Sequence, residues 1–304
     1  MQQRRLGKSE LYVAPVGLGC WPLAGITSGT MTEADAVAVI DAALEAGVNH
    51  LDTAYAYGRE GESERRIARA LRGRRAHVVL ATKVGVYWDQ QGVLRLTGRP
   101  DLLRQHFEES LRRLELDHVD LLYWHAPADD APLAETAGFF RELQAKGKTR
   151  AVGVSNLTVG QMEAFAAECP FAVAQVRYNR LQREIEAVVL PWCREHQVSV
   201  VAYEPLALGL LTGKFDRDHV FSEEDWRRRS PLFSGEAWTK NLEEVERLRR
   251  IAAGHGCCVA QWAVAWTISQ PGVAAALCGA KRPEQIRETA RAMSVALSPS
   301  ELDA

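Results

Sequence analysis

The sequence predicts an α/β fold, a single parallel (β/α)8 TIM barrel domain spanning residues 1–304. Three observations predict it. Short β-rich runs recur about eight times, each followed by an amphipathic stretch, which is the beat of a closed barrel. Most of these runs are near-continuously apolar rather than alternating, the pattern of strands covered on both faces. No short internal repeat, low-complexity tract or Pro/Gly-rich linker divides the chain, so one domain follows.

The strand-like runs are VGLG at 16–19, VNHLD at 48–52, HVVLATK at 77–83 and VDLLYWH at 119–125. AVGVSN at 151–156, VAQVRYN at 173–179, VSVVAYEP at 198–205 and VAAALCG at 273–279 complete the set. Between the first two, Thr32 and Asp35 stand at capping-box spacing, Val37, Ile40 and Leu44 share one helical face, and Gly47 follows as a stop. Pro100 occupies a first helical position, Asp101 suits the positive helix end, and Leu103, Phe107, Leu111 and Leu114 repeat at helical spacing. Further helices are predicted over residues 62–71, 133–145, 159–168, 185–196, 242–255, 259–269 and 283–293. Two stretches break the beat, residues 85–98 after the third strand and 206–238 after the seventh. Long loops at those places cover the catalytic face of a barrel. A doubly wound open sheet is the alternative. Its dinucleotide form needs G-x-G-x-x-G in the first strand-to-helix turn, but after Gly17 and Gly19 the third position holds Pro22.

With 47% hydrophobic and 25% charged residues the composition is that of a soluble globular protein. A formal net charge of -2 gives no global field toward nucleic acid or anionic lipid, so neither is expected as a partner. No apolar run approaches the roughly 18 residues that span a bilayer. The N-terminal MQQRRLGKSELYV lacks the apolar core of a signal peptide, and the chain is read as cytoplasmic. Cys20, Cys169, Cys193, Cys257, Cys258 and Cys278 show no CxxC or Cys/His pairing at zinc spacing, so no metal is expected.

In a barrel the C-terminal strand ends converge on one mouth. Here those ends are polar: the second strand ends in Asp52 with Tyr57 shortly after it, the third in Lys83 and the fourth in His125. Singly, each has a structural reading as a turn former, a packed ring or a satisfied core group. Together they suit proton transfer. A phenol ionises near about 10 unless a cation stabilises its anion. Lys83 can supply that cation, Asp52 can hold the ammonium, and a neutral His125 can orient a carbonyl oxygen or share a proton with Tyr57. The set donates a proton to a developing alkoxide. No side chain provides a hydride, so a cofactor must.

At these residues the sequence resembles the aldo-keto reductases, in their bacterial NADP-dependent oxidoreductase branch. The resemblance is carried in order by LDTAYAYG with Asp52 and Tyr57, ATKVG with Lys83, YWHAP with His125, GVSN at 153–156, Gln175 in VAQVRYN, AYEPLALGLLTGK at 202–214 and CGAKRPEQI at 278–286. It implies reversible reduction of an aldehyde or ketone by NADP(H), with Tyr57 the general acid, Lys83 and Asp52 tuning it, and His125 orienting the substrate. It implies that Ser155, Asn156 and Gln175 bind the nicotinamide amide and that Tyr203 stacks on the ring. Cys20, Trp21 and Asp52 belong to the same cofactor site. Leu206, Gly209 and Leu211 fall in the loop along the pyrophosphate, with Lys214 as counter-charge. Gly279 is a further cofactor-site residue, Lys281 and Arg282 lie where the family reads the adenosine 2′-phosphate, and two adjacent cations favour NADPH. Gln285 and Thr289 occupy adenosine-site positions where many members carry Arg and Asn. Glu204 stands where small polar residues are common.

Trp21, Trp88 and Trp124, together with Tyr57 and His125, are the expected substrate wall, and Trp226 is a further aromatic of the seventh loop. Residues 217–233 form a charge-rich segment, read either as a lid over bound cofactor or as a solvated loop. The partner is a small carbonyl or alcohol; sugar oxidation and imine reduction also suit such a site. Two other functions compete. A lysine ending a barrel strand can form a Schiff base, as in an aldolase using Lys83, and barrels of this family can serve as cofactor-binding, redox-sensing subunits.

Overall fold

A computed structural model describes residues 2–26 and 30–303. Among them, parallel strands β3 (Val16–Gly19), β4 (His50–Asp52), β5 (Val79–Val84), β8 (Val119–Trp124), β9 (Thr149–Ser155), β10 (Val173–Arg177), β11 (Ser199–Tyr203) and β12 (Val273–Gly279) close into a barrel. Closure is made by β12 pairing with β3, Leu277 opposite Gly17 and Gly279 opposite Gly19. The (β/α)8 expectation is met.

Helices α1 (Glu33–Glu45), α2 (Glu62–Ala70), α3 (Pro100–Leu114), α4 (Leu133–Ala145), α5 (Val159–Glu168), α6 (Val189–Glu195), α7 (Gly235–Gly254), α8 (Val259–Ser269) and α9 (Pro283–Ala290) surround it. A short α10 (Pro299–Asp303) follows. The Thr32–Asp35 capping box forms, and Gly47 is left-handed with φ 81° just after α1. Pro100 begins α3, where its missing N–H costs nothing. The predicted 185–196 helix is divided into a 3₁₀ turn at Glu184–Glu186 and α6. Pro191 can stand only in a first turn, so the helix starts at Val189.

Two hairpins add to the elements that the sequence predicts. β1 (Arg4–Arg5) and β2 (Tyr12–Val13) pair antiparallel ahead of the barrel. Their Leu6, Leu11 and Val13 pack on Val79, Leu121, Val173 and Ala274 near the strand starts, closing the bottom of the barrel. In the long loop after the third barrel strand, β6 (Val86–Trp88) pairs with β7 (Leu94–Leu96). The Asp89 carboxylate accepts from the Gln91 and Val93 amides and Gly92 adopts φ 73°, which turns the chain tightly. The larger core lies between barrel and helices, where Trp124, Phe140, Phe165 and Trp262 are buried. Among the described residues no helix is long and apolar enough to cross a membrane.

Candidate active site

The barrel register places the polar strand ends side by side. Gly19 stands opposite Asp52, Asp52 opposite Ala81, Lys83 opposite Tyr123, and Ser155 opposite Gln175. Lys83 and Asp52 are both almost fully buried and ion-paired, and the ammonium also donates to the Thr53 carbonyl at 2.9 Å and the Tyr57 hydroxyl at 3.3 Å. An ammonium has no acceptor, so the Tyr57 oxygen accepts from it and the phenolic proton is left for another partner. The second Asp52 oxygen accepts from the Gln175 amide at 2.8 Å.

Burial works against the Lys83 charge, but Asp52 and Tyr57 hold its pKa above the ordinary lysine value. Burial also raises the Tyr57 phenol, with Lys83 opposing it, so the acid keeps its proton at neutral pH. Burial and then the Lys83 charge push His125 well below the ordinary imidazole value. A neutral ring therefore stands 5.9 Å from the Tyr57 ring. Among the described residues the His125 Nδ1 has no hydrogen-bond partner. Trp21 packs edge-on to Tyr57 at 5.0 Å. Trp88 donates its indole N–H to the Ala56 carbonyl at 2.9 Å, tying the β6–β7 hairpin to the segment that carries Tyr57.

A second group extends from this mouth. Asn156, left-handed at φ 64°, donates to Ser155 Oγ at 3.1 Å and to the His125 carbonyl at 3.1 Å. It accepts from the Tyr203 hydroxyl at 2.8 Å. Beyond Tyr203 the backbone runs through positive φ at Glu204, Ala207, Leu208 and Gly209. A Cβ on Gly209 would fill the space between the Lys214 ammonium at 3.5 Å and the Arg227 guanidinium at 3.9 Å. Burial lowers the Lys214 pKa, and the charges of Arg227 and Arg282 lower it further. Lys281 is lowered by burial, then by Arg227 and Lys214. Converging cations of this kind around a glycine turn suit the phosphates of a dinucleotide. Burial raises the Glu204 carboxyl, and Arg177 is the charge that opposes it.

Four of the expected site residues have buried side chains. Trp124 is 1% exposed, stacks on Phe165 and donates to the Thr97 carbonyl, so it cannot line the mouth. Side chains alternate along β8: Tyr123 points into the barrel and Trp124 out toward the helices. Cys20 is buried in the outer core, with its thiol toward the Leu18 carbonyl. Leu211 is likewise buried. Thr289 is buried too, its hydroxyl donating to the Gln285 and Ile286 carbonyls of its own helix.

Other expected residues shape the local backbone. Gln285 accepts from the Lys281 and Arg282 amides and so shapes that turn. Gly279 ends β12 at the surface, where a Cβ would approach the Pro22 ring to 3.0 Å. Leu206 is half-buried, its carbonyl accepting from the Gly209 and Leu211 amides. The Trp226 side chain lies outside the described residues.

Arg227 was missed as an individual in the charge-rich 217–233 segment. It is 19% exposed, paired with Asp225 at 2.5 Å, and lies 5.4 and 5.2 Å over the Phe215 and Phe221 rings. The signal was present in the spacing of Phe215, Phe221, Phe233 and Trp238, which pack on one another and draw the loop back onto the barrel.

The model of the aldo/keto reductase family matches residues 15–304, and the chain belongs to that family. It is 35% identical over 289 residues to aldo-keto reductase YhdN of Bacillus subtilis (strain 168), covering 94% of this chain and 87% of that protein. It is 32% identical over 317 residues to the NADH-specific methylglyoxal reductase of Escherichia coli (strain K12), covering 99% and 96%. The solved structure of glycerol dehydrogenase AKR11B4 from Gluconobacter oxydans aligns with a TM-score of 0.92 at 34% identity, over 99% of this chain and 93% of that one.

Proposed function

We propose that the chain is an NADP(H)-dependent reductase that reversibly converts an aldehyde or ketone to the alcohol, acting in the cytoplasm on a small molecule. The observation that carries this reading is the Tyr57 hydroxyl, 3.3 Å from an ammonium that Asp52 holds. Tyr57 gives its proton to the forming alkoxide while Lys83 stabilises the phenolate left behind. His125, neutral beside Tyr57, donates a hydrogen bond to the carbonyl oxygen and holds it at the acid. Asn156 and Ser155 hold the nicotinamide amide, and Tyr203, fixed by its bond to Asn156, supports the ring. Gln175 shares this role through its oxygen, while one of its two N–H groups donates to Asp52. When bound, the nicotinamide supplies the hydride. Lys214 and Arg227 take the pyrophosphate, and Lys281 and Arg282 take the 2′-phosphate, which favours NADP(H) although one relative is NADH-specific.

An aldolase role for Lys83 is disfavoured by the same geometry. The ammonium is encircled by Asp52, the Thr53 carbonyl and Tyr57 and stays protonated, so it has no lone pair with which to attack a carbonyl.

The test is cofactor binding followed by turnover. Titration with NADPH and NADH, read by tryptophan fluorescence, precedes a panel of aldehydes, ketones, sugars and imines. Tyr57→Phe is expected to lower carbonyl turnover by about 100-fold or more while cofactor binding survives. Unchanged turnover in Tyr57→Phe would overturn the assignment of the acid.

A further inference from the structure

We propose that the buried Glu64–Arg113 ion pair is a positioning device for the reaction: it clamps the segment carrying Tyr57 to the strand carrying Lys83 and so sets the contact between them. This rests on the reading of Tyr57 as the proton donor.

Glu64 in α2 is completely buried, and Arg113 in the last turn of α3 is 8% exposed. The two carboxylate oxygens serve two different elements. One accepts from the Thr82 hydroxyl at 2.8 Å, and Thr82 directly precedes Lys83 in β5. The other accepts from Arg113 Nη1 at 3.3 Å, and that same nitrogen donates to the Tyr55 carbonyl at 3.1 Å. The guanidinium also lies 4.4 Å over the Tyr55 ring, which stacks on His106 at 4.3 Å. Glu109 holds the far side of the guanidinium at 3.2 Å. Tyr55 is two residues from Tyr57, so one carboxylate reaches the neighbourhood of both reacting partners.

A second tie lies beside the first. The Ser63 hydroxyl donates to the Cys20 carbonyl at 3.0 Å and accepts from Thr53 Oγ1 at 2.9 Å, while the Thr53 carbonyl is itself a Lys83 acceptor. Gly61, at φ 75°, leaves the path of Arg113 open, since a Cβ there would meet the side chain at 2.4 Å. A pair of apolar side chains would fill this space with less desolvation cost. It would not hold the Tyr55 carbonyl and the Thr82 hydroxyl in a common register.

The test compares full-length wild type, Arg113→Lys and Thr82→Val with methylglyoxal and 4-nitrobenzaldehyde as probe carbonyls. Arg113→Lys keeps the charge and loses the fork between Glu64 and Tyr55; Thr82→Val keeps the ion pair and loses one hydroxyl. In each, kcat is expected to fall about tenfold or more, the scale of a displacement near 1 Å, with KM and cofactor Kd within about twofold. The Tyr57 titration, read as phenolate absorbance against the matching Tyr57→Phe protein, is expected to move upward because Lys83 approaches the phenol less closely. Adding Tyr57→Phe to Arg113→Lys is expected to cost no more than Tyr57→Phe alone. The inference is overturned if kcat and the titration stay unchanged in both variants. It is also overturned if kcat falls in step with cofactor binding while the titration stays in place, the mark of a merely structural pair. Should Arg113→Lys fail to fold, Thr82→Val decides. The titration is independent of turnover, so a wild type inactive on carbonyls overturns the acid assignment and leaves this clamp still measurable.

Discussion

The Lys83 ammonium stands 3.3 Å from the Tyr57 hydroxyl and 4.9 Å from the centre of the Tyr57 ring, with the Asp52 carboxylate bonded to the same nitrogen. The pair is buried, so each charge depends on the other. Lys83→Met should lower carbonyl turnover by about 100-fold or more. It should also cost about 3–5 kcal/mol of unfolding free energy, because Asp52 is left buried without its cation. The double variant Asp52→Leu/Lys83→Met should regain much of that stability and none of the turnover. Urea unfolding beside a carbonyl assay checks both; a double variant no more stable than Lys83→Met would show that uncompensated charge is not the cause.

The rate of reduction should be flat through neutral pH. Burial raises the Tyr57 pKa, so the acid stays protonated until pH climbs above the ordinary tyrosine value of about 10, and reduction is lost there. Burial and Lys83 depress His125, so it stays neutral until pH falls well below the ordinary histidine value of about 6.5. Oxidation of the alcohol should show the opposite alkaline trend, since it needs the phenolate. A limb of kcat/KM between about pH 6 and 7 would contradict the neutral His125.

The cations divide by cofactor. Lys281→Ala and Arg282→Ala should weaken NADPH about 10- to 100-fold and leave NADH nearly unaffected, the scale of lost charge-assisted hydrogen bonds. Arg227→Ala should weaken both, because its partners Lys214 and the Gly209 turn lie along the expected pyrophosphate path. Fluorescence titration with the two cofactors separates these cases, and equal losses for NADPH and NADH in all three variants would remove the 2′-phosphate role.

Trp88 and Trp124 should fail differently. Trp124→Ala should cost about 3–5 kcal/mol of stability, as a large cavity in the outer core does, with little change in KM. Trp88→Ala should leave stability largely intact and raise KM for aromatic aldehydes about 3- to 10-fold, the worth of one aromatic contact. A rise in KM for Trp124→Ala without loss of stability would restore it to the substrate wall.

Much of this site was legible before the fold was known. Asp52, Lys83 and His125 follow apolar runs directly, and a parallel barrel brings such ends to one side whatever the details of packing. The helix boundaries at Thr32 and Pro100 were legible for a similar reason, because capping and proline chemistry act within a turn of the chain. The β6–β7 hairpin was not, although VYW-DQQGV-LRL contains a turn signal, because the strands are short and β7 is exposed.

Local chemistry therefore accounts for the barrel, the order of its elements and the residue types at its mouth. The partners of those residues are another matter. Gln175 donates to Asp52 across 123 residues of chain, Arg113 reaches Glu64 across 49, and the burial of Trp124 depends on which way a strand's last side chains point. Periodicity records which residues are apolar, and it constrains contacts only along one element. Closing the barrel sets the register between strands, and with it which buried donor meets which acceptor, where a carboxylate can serve two elements, and which tryptophan is buried among the helices.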